Sequence, residues 1–481
     1  MSTESARGSR AESARAESPR SEQRQRARFQ RLTIAVVAVL VVTAGALSLA
    51  NALQGPRLSS VEVNPNTAIQ RPGQRLILRT NQPVREVTSA QWSITPATDA
   101  ELTVAGNELT LRFAESLDYA TEYTITVEVA GVATGATGTL EYTFRTPDPQ
   151  LFTLLRTEGV DRILRHSFSG AVTDEVVFEA ERIQEYALLG DYLAVVTFDE
   201  RGTPVLGLEP LADRPAVTVP TPPALAIRVV RASTQSNLLG YIVEHERSGG
   251  GGGESTVAST LFVYDLSDAS GVPIEVTGIG GMPLIVVDWT FVPGTGSLVA
   301  QGPDQQLYLI DPLGSTEPVP LGQHIELRGF IPGTARLVVA DFLGGSVLDL
   351  VAGSNEPITL REPELDPMLA PGKQVFLDDE SFFHLRHRID YETSSVSSAL
   401  YFTDARGTVE VFRPPSESSR VLDYCLSPNA QHLAIEVVSP EGVPDHYPVE
   451  PGFTATMVYL INVEDGTSER RLNGFAPDWC R

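Results

Sequence analysis

Leu261-Phe262-Val263-Tyr264-Asp265 is a short apolar-aromatic strand ending on a carboxylate, and the chain repeats it. The same pattern stands at Leu307-Tyr308-Leu309-Ile310-Asp311, Leu400-Tyr401-Phe402-Thr403-Asp404 and Val458-Tyr459-Leu460-Ile461-Asn462. Phe262 and Tyr308 lie 46 residues apart, and Tyr308 and Tyr401 lie 93 apart, about twice that. Val347-Leu348-Asp349-Leu350 fits the missing copy. A second mark precedes several copies: Asp288-Trp289 with Pro293, Gly329-Phe330 with Pro332, Asp423-Tyr424-Cys425 with Pro428, and finally Asp478-Trp479-Cys480.

Self-similarity in the forties, with about four strands per unit and hardly any helical periodicity, predicts a β-propeller over residues 151–481. The pattern resembles the TolB-like propeller repeats, in which an aromatic and a Ser-Pro-Asp-Gly-like turn link the first two strands of a blade. Cys425-Leu426-Ser427-Pro428-Asn429 is the best match, and most other units are degenerate. The spacing gives a count of about seven blades, with six or eight also compatible. Because the chain runs out just after a first-strand mark, the C-terminal strand is expected to complete the blade begun near residue 151 and to close the ring.

Upstream, residues 58–147 read as short strands of period-two alternation, such as Glu108-Leu109-Thr110-Leu111-Arg112-Phe113 and Tyr123-Thr124-Ile125-Thr126-Val127-Glu128-Val129. Turn clusters such as Arg71-Pro72-Gly73-Gln74 and Ala105-Gly106-Asn107 separate them, the pattern of an antiparallel β-sandwich. This segment is similar to the bacterial Ig-like domains of S-layer and other cell-surface proteins. Gln82-Pro83-Val84, Ile94-Thr95-Pro96, Leu109-Thr110-Leu111, Leu117 with Tyr123, and Tyr142-Thr143-Phe144-Arg145-Thr146 carry the likeness. One departure is Arg79-Thr80, where the family usually places an aromatic before the proline. The resemblance implies a spacer or adhesive module. Pro147-Asp148-Pro149 forms a stiff break before the repeats.

Leu32 to Leu53 is a run of 22 residues without a formal charge, preceded by Arg24, Arg26, Arg28 and Arg31. As a helix it would reach about 33 Å, enough for a hydrocarbon core of about 30 Å. The flanking arginines predict a transmembrane helix over 32–53 with residues 1–31 as a disordered cytoplasmic tail and everything beyond outside. The rival reading is a cleaved signal peptide, since Ala50-Asn51-Ala52 resembles a small-x-small cleavage site, but the apolar run exceeds the usual h-region. The tail holds eight Arg and four Glu, so a total charge of −25 leaves −29 on the remaining residues. An acidic exterior argues against nucleic acid and against docking on anionic lipid. Lys373 is the sole lysine against 35 arginines, a ratio that fits a GC-rich bacterial genome.

Candidate chemistry is sparse. His384-Leu385-Arg386-His387 places two imidazoles three apart, on opposite faces of a strand, where they cannot chelate one ion. No Gly-x-Ser-x-Gly elbow occurs, so a serine hydrolase of the prolyl-oligopeptidase kind is not expected. Acidic turns such as Asp199-Glu200-Arg201-Gly202 and Glu464-Asp465-Gly466-Thr467 lack the alternating carboxylates of a calcium loop and read as hairpins. Gly249 to Gly253 reads as a flexible loop within a blade. Pro440 to Phe453, rich in proline and aromatics, stretches one unit to 58 residues between Tyr401 and Tyr459 and is either a recognition loop or a plain insertion. Cys425 and Cys480 follow equivalent Asp-aromatic pairs in an oxidising compartment, which predicts a disulfide across the seam of the ring, with two buried thiols as the alternative.

The sequence thus predicts an all-β chain: an Ig-like β-sandwich and a β-propeller of about seven blades behind one N-terminal transmembrane helix. The expected role is a membrane-anchored extracytoplasmic binding or scaffold protein of the bacterial envelope, its propeller meeting another envelope protein or a cell-wall glycan. A propeller enzyme acting on cell-wall polysaccharide is the alternative. No catalytic, cofactor-binding or metal-ligating residue is assigned.

Overall fold

In the computed structural model, the described residues are 29–45 and 54–480, except 71, 171–173, 234, 248–255, 269, 343, 359–362, 364 and 393–394. Residues 29–45 are helical and exposed. Residues 46–53 of the expected membrane span, the tail 1–28 and the glycine tract lie outside the described residues. Among the described residues no helix is long and apolar enough to cross a membrane.

Seven strands between residues 58 and 145 form two antiparallel sheets. One orders Leu58–Glu62, Arg75–Thr80, Glu108–Phe113 and Ala100–Ala105; the other orders Trp92–Thr95, Glu122–Ala130 and Thr137–Arg145. Strand alternation decides which side chains meet between them. Leu76 and Leu78, Leu109, Leu111 and Phe113, and Tyr123, Ile125, Val127 and Val129 all point inward and are buried together. Each such side chain contributes about 1.5–3 kcal/mol on leaving water. Tyr123 keeps its hydroxyl satisfied inside the sandwich by donating to Asp118 Oδ2 at 3.0 Å while accepting from the Asp118 N–H.

From residue 150 onward the chain builds seven consecutive antiparallel sheets, the arrangement of a β-propeller-like ring. The first blade has Gln150–Leu155, Asp161–Ser167 and Glu175–Ala180. The second to seventh are four-stranded and cover 183–218, 226–275, 288–323, 326–357, 370–412 and 420–473. The opening strands of successive blades touch, from Ile183–Leu189 through Ala226–Ser233, Asp288–Phe291, Glu326–Phe330 and Ala370–Phe376 to Arg420–Leu426. That last strand touches the 3-10 turn Asp478–Cys480, which in turn touches Gln150–Leu155. Phe475 and Leu154 exchange backbone hydrogen bonds of 2.9 Å in both directions, so the C-terminal segment supplies the inner element that the first blade lacks.

The Asp-aromatic mark has a physical reason. The aromatic sits on an inner strand and donates to backbone carbonyls of the preceding blade. Tyr424 Oη donates to Lys373 O and Phe383 O at 2.9 Å, and Trp289 Nε1 to Val229 O at 3.2 Å. Tyr186, at the same place in the second blade but outside the pattern read from the sequence, donates to Phe152 O and Ala476 O at 2.7 Å. Trp289 also needs a bare neighbour, because a Cβ on Gly240 would lie 2.2 Å from its ring.

Candidate functional site at the mouth of the ring

Turns between the first and second strands of a blade carry Pro293-Gly294, Pro332-Gly333 and Ser427-Pro428, and they surround one end of the central channel. Gln70 and Pro72 of the sandwich overhang this end, with Pro72 packed beside Gly333. The two parts are joined nearby by aromatic packing: Tyr119 of the sandwich stacks on His432 at 5.6 Å and lies 5.2 Å from Phe168 and 5.9 Å from Trp479. Gln431 Nε2 adds a hydrogen bond of 3.1 Å to Ser116 O. The cleft left between overhang and ring has a volume of about 820 Å³.

Its floor is charged. Arg231, Arg328 and Lys373 stand on the inner strands of the third, fifth and sixth blades. Arg231 Nη1 meets Asp288 Oδ1 of the fourth blade at 3.1 Å, and Lys373 Nζ meets Asp423 Oδ1 of the seventh at 2.7 Å. Arg328 pairs with Glu326 at 3.0 Å and donates to Gln374 Oε1 of the sixth blade. Lys373 further sits 5.7 Å above the Tyr424 ring. Arg231 and Lys373 also line a second chamber of about 530 Å³ toward the far end of the channel, which places both cations in its throat. Such a floor offers paired charge and hydrogen-bonding groups to a ligand segment, with apolar walls from Leu327, Phe330 and Val375.

Deep beside the cleft lies Asp478. Burial pushes its carboxyl up to about 7, against the pull of the Phe152 N–H, which donates to it at 2.7 Å. Glu185 and Glu436 are likewise buried and serve the backbone: Glu185 accepts from Val229 and Val230 N–H at 3.1 Å, and Glu436 accepts from Ala476 N–H at 2.8 Å. The Glu185 and Glu436 contacts bind each blade to its neighbour.

Cys425 lies on Arg420–Leu426 at the cleft wall and is disulfide-bonded. Cys480 belongs to the adjoining turn Asp478–Cys480, and its side chain lies outside the described residues. His384 is buried, with Nδ1 accepting from Arg386 Nε at 3.0 Å and Nε2 facing Thr403 Oγ1 at 2.9 Å. Burial, then the Arg386 charge, brings its pKa down to about 4. His387 is bonded separately to Ser398 at 3.1 Å. Among the described residues no group of three or more His, Cys, Asp or Glu is placed to share a metal ion.

The insertion at Pro440 to Phe453 folds down over the join between the seventh and first blades. Pro444 pairs with Phe453, and Asp445 accepts from the N–H groups of Tyr447 and Gly452. Arg156, only 4% exposed, donates to Asp445 at 2.5 Å, Glu450 O at 2.8 Å, Gln184 O at 2.6 Å and Ile183 O at 3.1 Å, and lies 3.7 Å over the Tyr447 ring. Tyr447 donates to Asp161. Burial alone would raise the Asp445 carboxyl, but Arg156 and the two N–H groups outweigh it and hold it below the ordinary value.

The three channel cations are absent from any motif in the sequence. Lys373 carried the one available signal, as the sole lysine. Composition alone, however, does not separate a placed lysine from a rare one.

No family model matches the chain, and no curated protein matches it. Solved structures do. An acylaminoacyl peptidase of Pyrococcus horikoshii is 12% identical with a TM-score of 0.42, over 80% of this chain and 54% of that one. Dipeptidyl peptidase 4 of Porphyromonas gingivalis is 12% identical with a TM-score of 0.39, over 67% and 59%. TolB of Acinetobacter baumannii is 11% identical with a TM-score of 0.35, over 80% and 82%. The chain spans only a little over half the length of the two peptidases, and at such identities none of their chemistry transfers to it.

Proposed function

We propose that this chain is an extracytoplasmic binding or scaffold protein of the bacterial cell envelope. A transmembrane helix over residues 32–53 anchors it with the tail inside, the sandwich serves as an Ig-like spacer, and the ring presents the interaction surface. Cys425 pairs with Cys480 and fastens the seam. The partner is an envelope protein or a cell-wall glycan that enters the cleft with an extended segment. What supports this reading is the cleft floor, where Arg231, Arg328 and Lys373 are each already matched by a carboxylate. Matched charges suit recognition of mixed polar groups on an extended segment.

Site-specific photocrosslinking in intact cells tests it. A crosslinking residue in place of Gln235 at the cleft is expected to give a discrete adduct, and one in place of Val409 on the outer edge of the sixth blade to give none. Absence of an adduct from Gln235, together with release of fragments from cell-wall polysaccharide by the purified full chain, would overturn the proposal in favour of an enzyme.

A further inference from the structure

Each blade is an antiparallel meander, so the loops after its second and fourth strands all emerge at the end of the ring opposite the sandwich. That end carries a concentration of exposed large apolar side chains. Ile279, Met282 and Ile285 stand on the connector from the third to the fourth blade. Phe342 tops the hairpin of the fifth blade at 93% exposure, Met368 lies on the next connector, and Tyr391 tops the hairpin of the sixth at 82%. Single exposed apolar residues are ordinary, but an arc of them over four consecutive blades is not. Aromatics at hairpin tips are also costly choices where Gly, Asn or Asp favour the turn.

The chain shows how such a face is closed. Over the seventh and first blades the insertion lays Tyr447 and Phe453 against the ring and brings Arg156 between Tyr447 and Phe475. No corresponding segment covers the arc over the third to sixth blades among the described residues. Charge decides what does. Glu246, Asp304, Glu392 and Glu417 stand exposed at this same end, on a body whose charge outside the tail is −29. A second copy would set acid against acid, and an anionic lipid surface would be repelled.

We infer that the end of the ring distal to the sandwich is a second docking surface, built for a protein segment that is both apolar and cationic. This inference is independent of the cleft, which lies at the other end of the channel.

The test uses the full chain in detergent and a fluorescent amphipathic helical peptide of Leu and Lys as the probe, with a Leu and Glu peptide of the same pattern beside it. The Leu-Lys peptide is expected to bind, and the combined variant Met282→Ser, Phe342→Ser, Tyr391→Ser to weaken it about tenfold or more. The combined variant Leu313→Ser, Val351→Ser, which removes exposed apolar groups from loops at the sandwich end, is expected to leave binding unchanged. All three distal substitutions are on exposed side chains, so an unchanged melting temperature accompanies the loss. Equal weakening by both variants would overturn the inference, as would equal binding of the Leu-Glu peptide. Binding to phosphatidylglycerol vesicles that the distal variant abolishes, or a dimer of the full chain that it dissociates, would overturn it in favour of a lipid or a second copy. Crosslinking from Gln235 reads the cleft separately, so either reading can fail alone.

Discussion

Asp478 is a carboxyl that the fold holds against its preference. Its pKa rises from 3.8 to about 7 because burial disfavours the anion more than the Phe152 N–H favours it. The folded state therefore binds the proton more tightly than the unfolded chain. Its contribution to stability is most favourable below about pH 4 and declines as pH climbs to about 7, by as much as about 4 kcal/mol. Asp478→Asn keeps an acceptor for Phe152 and carries no charge. Urea unfolding of variant and parent is expected to agree near pH 4 and to diverge in the variant's favour by pH 8. A difference that stays constant with pH would contradict this account. Arg156 works in the opposite sense, as a buried cation whose removal strands Asp445. Arg156→Ala is expected to cost about 3–5 kcal/mol, and Arg156→Lys to restore only part of it, because an ammonium cannot reproduce the guanidinium fork; chemical denaturation measures both. Neither role was legible in the sequence, since burial and the partners Phe152 and Asp445 lie 326 and 289 positions away along the chain.

At the scale of elements, the repeat marks were legible because each has a local cause. The inner-strand aromatic must reach back to the preceding blade, so Trp289 and Tyr424 recur at the repeat spacing. Tyr186 fills the same role without a legible mark, because Glu185-Tyr186 has no proline turn after it as the others do. The insertion at Pro440 to Phe453 was legible as an excess of residues but not as a welded strap, because its anchor Arg156 belongs to another blade. The C-terminal segment is the most consequential element. Phe475 completes the first blade, Ala476 O accepts from Tyr186, and Ala476 N–H satisfies Glu436. A chain stopping at Gly474 strands all of these groups and opens the ring. It is expected to lose several kcal/mol of stability, at about 1–3 kcal/mol for each buried group left unpaired. Equal melting of the truncated and full chains would contradict closure by this segment. Peptide mapping without reduction is expected to give one crosslinked species joining Cys425 to Cys480. Closing a loop of about 55 residues is worth on the order of 4 kcal/mol in the chain-entropy account, and alkylation of both thiols without prior reduction would contradict the pairing.

The whole molecule is two β units pinned together by the Tyr119 cluster, with a cleft at one end of the ring and an apolar, acidic arc at the other. Its mostly β, propeller-like character was legible in periodicity, since period two and a repeat in the forties leave few other architectures. The cleft did not follow, because it draws one or two residues from each of several blades and none of them forms a motif. The ring is expected to work outside the cytoplasm while the basic tail stays within. Protease added to intact cells tests it most directly, with one epitope tag near residue 10 and another in the exposed turn at Asp465. Loss of the Asp465 tag and survival of the tag near residue 10 are expected. Survival of both in intact cells, with loss of both after lysis, would contradict it.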